Sequence, residues 1–378
     1  VSREQVAEIV KLNPDSFLRV SRSEVDFDER MNPYSDEVYQ RAANNFERLI
    51  ARNMIRADEK DSYYVYKISS KHHAQTGLVF GASIKAYLEG RIKRHELTRE
   101  KKELDRIKHI DTLQAQTGPV MLIHKENKAL RTILKHITSE KNSDTNAVLE
   151  NWQHELWPVN DIDQVEKITH HLNSIQNLYV ADGHHRSAAA SKIFLNQKEQ
   201  ATTNCFLAVT FDETELKILP YNRVVRDLNQ LTVNEFLDQL SNTFKIDKMN
   251  GNSFFNEKYC YFIYLENTWY QIKLKEIPQN ISNIAETLDT RIVEEYILKP
   301  ILGIENIRTD DRIDFVGGPQ SIEKIVNLVD SGIMKIGIAL PTTAIEELLK
   351  ISDSDQLMPP KSTWFEPKLA DGLVSLKI

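Results

Sequence analysis

The run Leu178-Tyr-Val-Ala-Asp-Gly-His-His-Arg-Ser-Ala-Ala-Ala190 sets an aspartate, a glycine, two histidines and an arginine between an apolar stretch and an alanine-rich one. An apolar run that ends in one glycine and continues with helix formers predicts a strand, a tight turn and a helix. Such a turn suits an anion. Amide groups at a helix start lack intrahelical partners, the helix dipole is positive there, and Gly183 lets a ligand approach the backbone. His184, His185 and Arg186 add side-chain donors, and a guanidinium can grip a phosphate through two bonds at once. Asp182, at the strand end, is placed to hold Mg²⁺ or to orient a histidine. The competing reading is an aspartate that merely caps the helix, followed by surface histidines. Neighbouring side chains on a helix diverge by roughly 100°, so joint ligation of a transition metal by His184 and His185 is awkward.

A second constellation lies between Gly90 and Ile110. Residues 91–109 hold eight Lys/Arg against four Asp/Glu, with His95 and His109 in addition. With a helix from about Thr98 to Gln114, Arg99, Lys102, Arg106 and His109 recur at steps of three and four and share one cationic face. Glu96, among Arg94, His95 and Arg99, would stay ionised there and accept a proton from a substrate hydroxyl. The bland alternative is a solvated helix laced with ion pairs.

Several elements must position these groups. Helical patterns cover Val1 to Lys11 and Ser35 to Arg52, and strands are predicted at Ser16–Val20, Ser62–Ile68, Thr76–Ile84 and Gly118–Ile123. A helix over Asp161–Asn173 precedes the strand Asn177–Ala181 and the helix His185–Asn196. Beyond residue 230 a helix at Val233–Phe244 and strands at Tyr259–Leu265 and Trp269–Leu274 predict a second, smaller α+β lobe. The expected division is therefore a core over 1–230, a second lobe over 231–345 and a tail over 346–378. The aromatic and proline content of Met358–Lys368 suits a tail docked back on the protein.

The make-up of the chain excludes several classes. At 378 residues, 41% hydrophobic and 27% charged, it is expected to be globular. Its apolar runs are far too short to span a bilayer and no basic-then-apolar start is seen, which predicts a cytoplasmic protein without a membrane partner. Two cysteines, Cys205 and Cys260, leave no material for a disulfide framework or a cysteine-built zinc site. A net charge of -7 argues against a nucleic acid partner, whereas the local basic patch suits a small anion. A homodimer is compatible with the sequence.

Taken in order, Lys93–Arg99, His109–Leu113, Gln116–Pro119, Ala181–Arg186, Leu219–Val225 and Met358–Pro367 resemble the successive signature blocks of domain-of-unknown-function family 1015. The Asp182–Arg186 block is similar to the phosphate-binding turn of the ParB/sulfiredoxin superfamily, which includes free-serine kinases. The resemblance implies an α+β fold with a ParB/sulfiredoxin-like mixed-sheet core. It further implies phosphoryl transfer between a nucleotide (ADP, AMP or ATP) and serine or O-phosphoserine with Mg²⁺, in a direction that could consume phosphoserine in serine biosynthesis. Glu96 would be base or acid and Asp182 would hold the metal or orient His184. Gly183, His184, His185 and Arg186 would cradle the phosphate while Arg99 and Arg106 offset charge, with Arg223 and Lys361 reaching the same cleft. Leu97 departs from the commoner family pattern, which often has a histidine there. Sulfiredoxin chemistry needs a cysteine beside the turn, and Cys205 and Cys260 are distant in sequence. Two rival readings are a nucleotide- or phosphoserine-binding regulator without turnover, and a nucleic-acid-binding protein or nuclease of ParB type. The latter lacks both a helix-turn-helix pattern and a basic surface.

Overall fold

The alternating apolar residues of Tyr63–Ser69 and Ala74–Ser83 pair antiparallel and form the middle of an eight-stranded mixed sheet. The computed structural model describes residues 2–196, 204–249, 251, 254–278 and 283–378. The chain divides into two units, one of residues 1–93, 98–216 and 367–378, the other of residues 94–97 and 217–366.

In the first unit the sheet order is Ile92–Lys93, Leu178–Asp182, Val120–His124, Cys205–Asp212, Ala74–Ser83, Tyr63–Ser69, Trp152–Val159, Thr145–Leu149. Ile92–Lys93 runs parallel to Leu178–Asp182, and Val120–His124 runs parallel to Cys205–Asp212. The other pairs are antiparallel. A strand with neighbours on both sides satisfies its backbone inside the sheet, and Tyr179, Val180 and Ala181 are buried accordingly. One face carries the helices Lys128–Glu140 and Ile162–Asn173, whose Leu130, Leu134 and Ile168 pack on Val65, Leu78 and Trp157.

The helix His184–Asn196 buries Ala188, Ala189 and Ala190, and the helix Glu100–Leu113 lies against it through Ile107 and Ile110, which meet Ala189 and Ile193. Small residues let two helices approach closely, and a buried isoleucine contributes about 2 kcal/mol. The alanine run therefore sets the helix Glu100–Leu113 beside the turn.

The predicted strand at Ser16–Val20 is instead helical, over Leu18–Ser21. A short apolar run does not distinguish the two states by itself. Here one side chain, Val20, turns inward against the cluster of Ala42, Phe46 and Leu113, and the Ser16 hydroxyl accepts the Leu18 amide. The first helix runs Arg3–Leu12, with Val1 outside the described residues.

The second unit is built on a six-stranded antiparallel sheet ordered Phe244–Lys248, Thr268–Leu274, Cys260–Leu265, Ile336–Ala339, Tyr221–Val225, Ile313–Gly317. Alternate residues feed opposite faces, Val225 and Ile263 one cluster, Val224 and Phe262 the other. The helix Val233–Thr243 opens with a Thr232/Glu235 capping box. Sequence patterning puts a boundary near 230, whereas Tyr221–Val225 is already a strand of this second sheet, and the division falls at Lys217. Both lobes mix helix and sheet, an α+β architecture with a large mixed sheet. Among the described residues no helix is long and apolar enough to cross a membrane.

Candidate active site

At its C-terminal end the strand Leu178–Asp182 shifts register. Leu122 pairs with Val180 but Met121 with Asp182, so Ala181 is an extra residue opposite that step. Bulges of this kind bend a strand and re-aim the side chain that follows, here Asp182. Gly183 then takes φ +99°, a conformation that a residue with a side chain rarely adopts. Its carbonyl accepts the amides of Arg186 at 2.8 Å and Ser187 at 3.1 Å, which starts the helix.

Arg186 folds back over this turn. A Cβ at Gly183 would lie 3.0 Å from its Nε, and a Cβ at Gly118 would lie 3.0 Å from its Nη1 and 2.7 Å from the Asp371 carboxylate. The guanidinium thus lies close to both glycines. Nη2 donates to Asp182 Oδ2 at 3.0 Å, and Nη1 stands 3.8 Å from Asp371 Oδ1. On the other oxygen of Asp182, Lys368 Nζ stands at 3.5 Å. Burial would raise the Asp182 carboxyl, but the charges of Lys368, Arg186 and His184 outweigh it and hold it below its ordinary value.

These groups open on a cleft of about 550 Å³ lined also by Lys102, Asp105, Arg106, His109, Thr117 and His185. That volume lies in the range of small-molecule sites. Arg106 donates through Nε and Nη2 to Asp105 Oδ2, whose carboxylate also accepts the Tyr39 hydroxyl at 2.8 Å. Of the expected cationic face, Lys102 and Arg106 line the cleft. His109 does too, but it is buried, its Nε2 donates to the Val20 carbonyl, and burial followed by the Arg106 charge pushes it down, so it is neutral near pH 7. Arg99 is exposed at the cap of the helix Glu100–Leu113, and its amide donates to His185 Nε2 at 3.0 Å. His184 is buried and His185 faces the cleft, so the two imidazoles diverge.

Glu103 anchors the two helices to each other. Its carboxylate pairs with Lys192 and accepts the Thr98 hydroxyl. Burial works to raise it, and these two partners bring it below its ordinary value.

The second unit holds the other expected residues. Glu96 sits in the short stretch 94–97, where the His95 carbonyl accepts the Met358 amide at 2.8 Å. Arg223 is fully buried, with Nη1 donating to the carbonyls of Tyr221 and Lys361 and its guanidinium 5.2 Å from the centre of the Phe315 ring. Burial pushes it down to about 10. Lys361 is exposed, and its ammonium lies 5.4 Å from the centre of the Tyr221 ring.

Sequence reasoning missed Lys368, Asp371 and Asp105 in the cleft. The tail composition signals a docked segment but does not say against what.

Residues 1–291 match the family described as "Protein of unknown function (DUF1015)". Comparison with curated proteins gives no match. Among solved structures, the chain is similar to a free serine kinase in complex with AMP at 11% identity and TM-score 0.37, covering 76% of this chain and 86% of that one. It is similar to a free serine kinase variant in complex with ADP at 11% identity and TM-score 0.38, covering 82% and 92%. SbnI with a C-terminal truncation, from Staphylococcus aureus, is similar at 10% identity and TM-score 0.39, covering 78% and 85%. At these values the likeness assigns no role to any residue.

Proposed function

The chain belongs to the DUF1015 family, and on that footing we propose that it moves a phosphoryl group between a nucleotide and serine or O-phosphoserine. The observation that carries this reading is Arg186, held against Gly118 and Gly183 at the opening of a helix and facing a cleft shared with Asp182, Arg106, Lys102 and Lys368. Phosphoryl transfer asks a protein mainly for positioning and charge neutralisation, because little covalent chemistry falls to its side chains. A fixed guanidinium beside a helix start supplies both.

Gly183 keeps the turn open to the phosphate. Arg186 and the positive end of the helix hold it, His184 and His185 flank it, and Arg106 offsets the charge that spreads over its oxygens. Arg99 adds positive charge at the start of the helix Glu100–Leu113. The serine side of the reaction rests on the resemblance of the Ala181–Arg186 block to free-serine kinases, in which a glutamate takes the hydroxyl proton, a role that falls to Glu96. Arg223, whose Nη1 donates to two backbone carbonyls, and Lys361 are kept as candidate phosphate contacts.

Asp182, ionised and with its side chain 44% exposed, is the residue that would hold Mg²⁺, in exchange for the Lys368 ammonium that faces its Oδ1. A hard cation of that size is commonly held by one or two carboxylates with phosphate and water. When bound it would neutralise phosphate charge.

Phosphorus NMR of the full chain with Mg²⁺ tests this, using O-phosphoserine with and without AMP or ADP, and serine with ADP or ATP. Nucleotide-dependent movement of phosphate is expected. Inorganic phosphate released without nucleotide would make it a phosphatase, and binding without turnover would make it a regulator.

A further inference from the structure

We propose that the C-terminal segment is part of this site, with Lys368 a phosphate-binding residue and Asp371 the positioning residue of Arg186. The inference rests on the phosphotransfer reading and adds residues to it.

The segment is held at several points within the first unit. The Ala370 amide donates to Tyr66 Oη at 3.4 Å, the Gly372 amide to the Thr117 carbonyl at 2.9 Å, and the Ile378 amide to the Gln114 carbonyl at 3.1 Å. Leu376 and Lys377 pair with Gln116 and Ala115 as strands. Gly372, at φ +80°, lies against the Phe17 ring, where a Cβ would come within 2.4 Å. No larger residue fits there. Such anchors fix the backbone from which Lys368 and Asp371 reach the cleft.

The two side chains differ in what they do there. Asp371 Oδ2 accepts the Ser21 hydroxyl at 3.2 Å while Oδ1 faces Arg186, so the carboxylate is oriented from behind. A guanidinium bracketed by Asp182 and Asp371 keeps one orientation. Lys368 is a compact charge on a flexible stem, 43% exposed and 3.5 Å from Asp182 Oδ1. When a phosphate competes for the cations around Asp182, an ammonium can follow it where a bracketed guanidinium cannot. In the transfer the substrate oxygen bonds to phosphorus as the bond from phosphorus to the nucleotide oxygen breaks, and the hydroxyl proton passes to a carboxylate base. Lys368 keeps its protons throughout.

The test compares Lys368→Met, Lys368→Arg, Asp371→Asn, Asp371→Glu and Lys377→Met in the full chain. Calorimetric binding of ADP and of O-phosphoserine is measured beside phosphorus NMR turnover. Lys368→Met is expected to weaken binding of at least one ligand by ~10-fold or more, with Lys368→Arg within about 3-fold of wild type and Lys377→Met unchanged. Should Lys368→Met fold poorly, Lys368→Gln is read in the same way. Asp371→Asn is expected to lower kcat by ~10-fold with a smaller change in KM, and Asp371→Glu to restore part of it. Wild-type affinity in a folded Lys368→Met, or an equal loss in Lys377→Met, overturns the proposal. A wild type that binds without turnover defeats the phosphotransfer reading, yet the Lys368 and Lys377 affinities still decide this one. A wild type that binds neither ligand overturns both.

Discussion

The carboxylate of Asp371 stands 3.8 Å from Nη1 of Arg186, and the same guanidinium donates to Asp182. Two acids from distant parts of the sequence thus hold one arginine against Gly118 and Gly183, where its planar fork is oriented before any ligand arrives. Organisation of this kind lowers the cost of ordering a site on binding.

Replacing Asp182 by asparagine should keep the shape of the turn while removing the charge that pairs with Arg186 and Lys368. Transfer measured by phosphorus NMR is expected to fall ~100-fold or more. Full turnover in a folded Asp182→Asn would remove Asp182 from the mechanism.

Arg186→Lys keeps the charge but not the fork. ADP affinity should weaken by about 10-fold, because a single ammonium cannot reproduce two parallel bonds. Calorimetry that finds equal affinity would mean that the guanidinium geometry is not used.

Gly183→Ala puts a side chain at φ +99°, with its Cβ 3.0 Å from Arg186 Nε. The strain should cost ~1–3 kcal/mol, seen as a lower denaturant midpoint, and the displaced arginine should weaken ADP binding as well. An unchanged midpoint would contradict the backbone assignment of the turn.

Glu96→Gln separates chemistry from binding. Turnover should drop ~100-fold while ADP affinity stays within about 2-fold of wild type, as expected of a general base that does not hold the nucleotide. Equal loss in both would assign Glu96 to binding.

Asp289, in the second unit, carries a pH dependence of its own. Burial raises its carboxyl from an ordinary 3.8 to about 6, although it accepts the Tyr259 amide at 2.7 Å and the Tyr261 hydroxyl at 2.9 Å. Between these values the unfolded chain releases the proton and the folded chain keeps it. Its contribution to folding is therefore complete below about pH 4 and is lost as pH rises through about 6, a change on the order of 2–3 kcal/mol. Asp289→Asn should flatten that slope, since its amide oxygen accepts the same two bonds. Melting curves at pH 5 and pH 7.5 in which wild type and variant shift in parallel would refute this.

The turn itself was legible from sequence, because everything that makes it is local. An apolar strand, one glycine and a helix-forming run follow one another between Leu178 and Asn196, and the helix and strand fall as their periodicities require. The face shared by Lys102 and Arg106 was legible for the same reason, a step of four residues on one helix. The strand expected at Ser16–Val20 was not, since a run so short takes its conformation from what Val20 packs against.

Long-range pairing decided the rest. No local pattern connects residue 371 to residue 186, and long-range contacts bring the tail to the cleft, among them the pairing of Leu376–Lys377 with Ala115–Gln116 and the Gly372 amide on the Thr117 carbonyl. Gly118 reads as the opening of a strand until Arg186 and Asp371 are seen to occupy the space of its missing side chain. Arg223 shows in sequence only as an arginine of an apolar block, and only the fold reveals that it is fully buried with Nη1 on the carbonyls of Tyr221 and Lys361. The sequence by itself determined the chemical types and the local geometry of the Asp182–Arg186 turn. Only the tertiary structure decided which distant charges surround it, because hydrogen bonding along a strand or helix is written in neighbouring residues and the packing of remote segments is not.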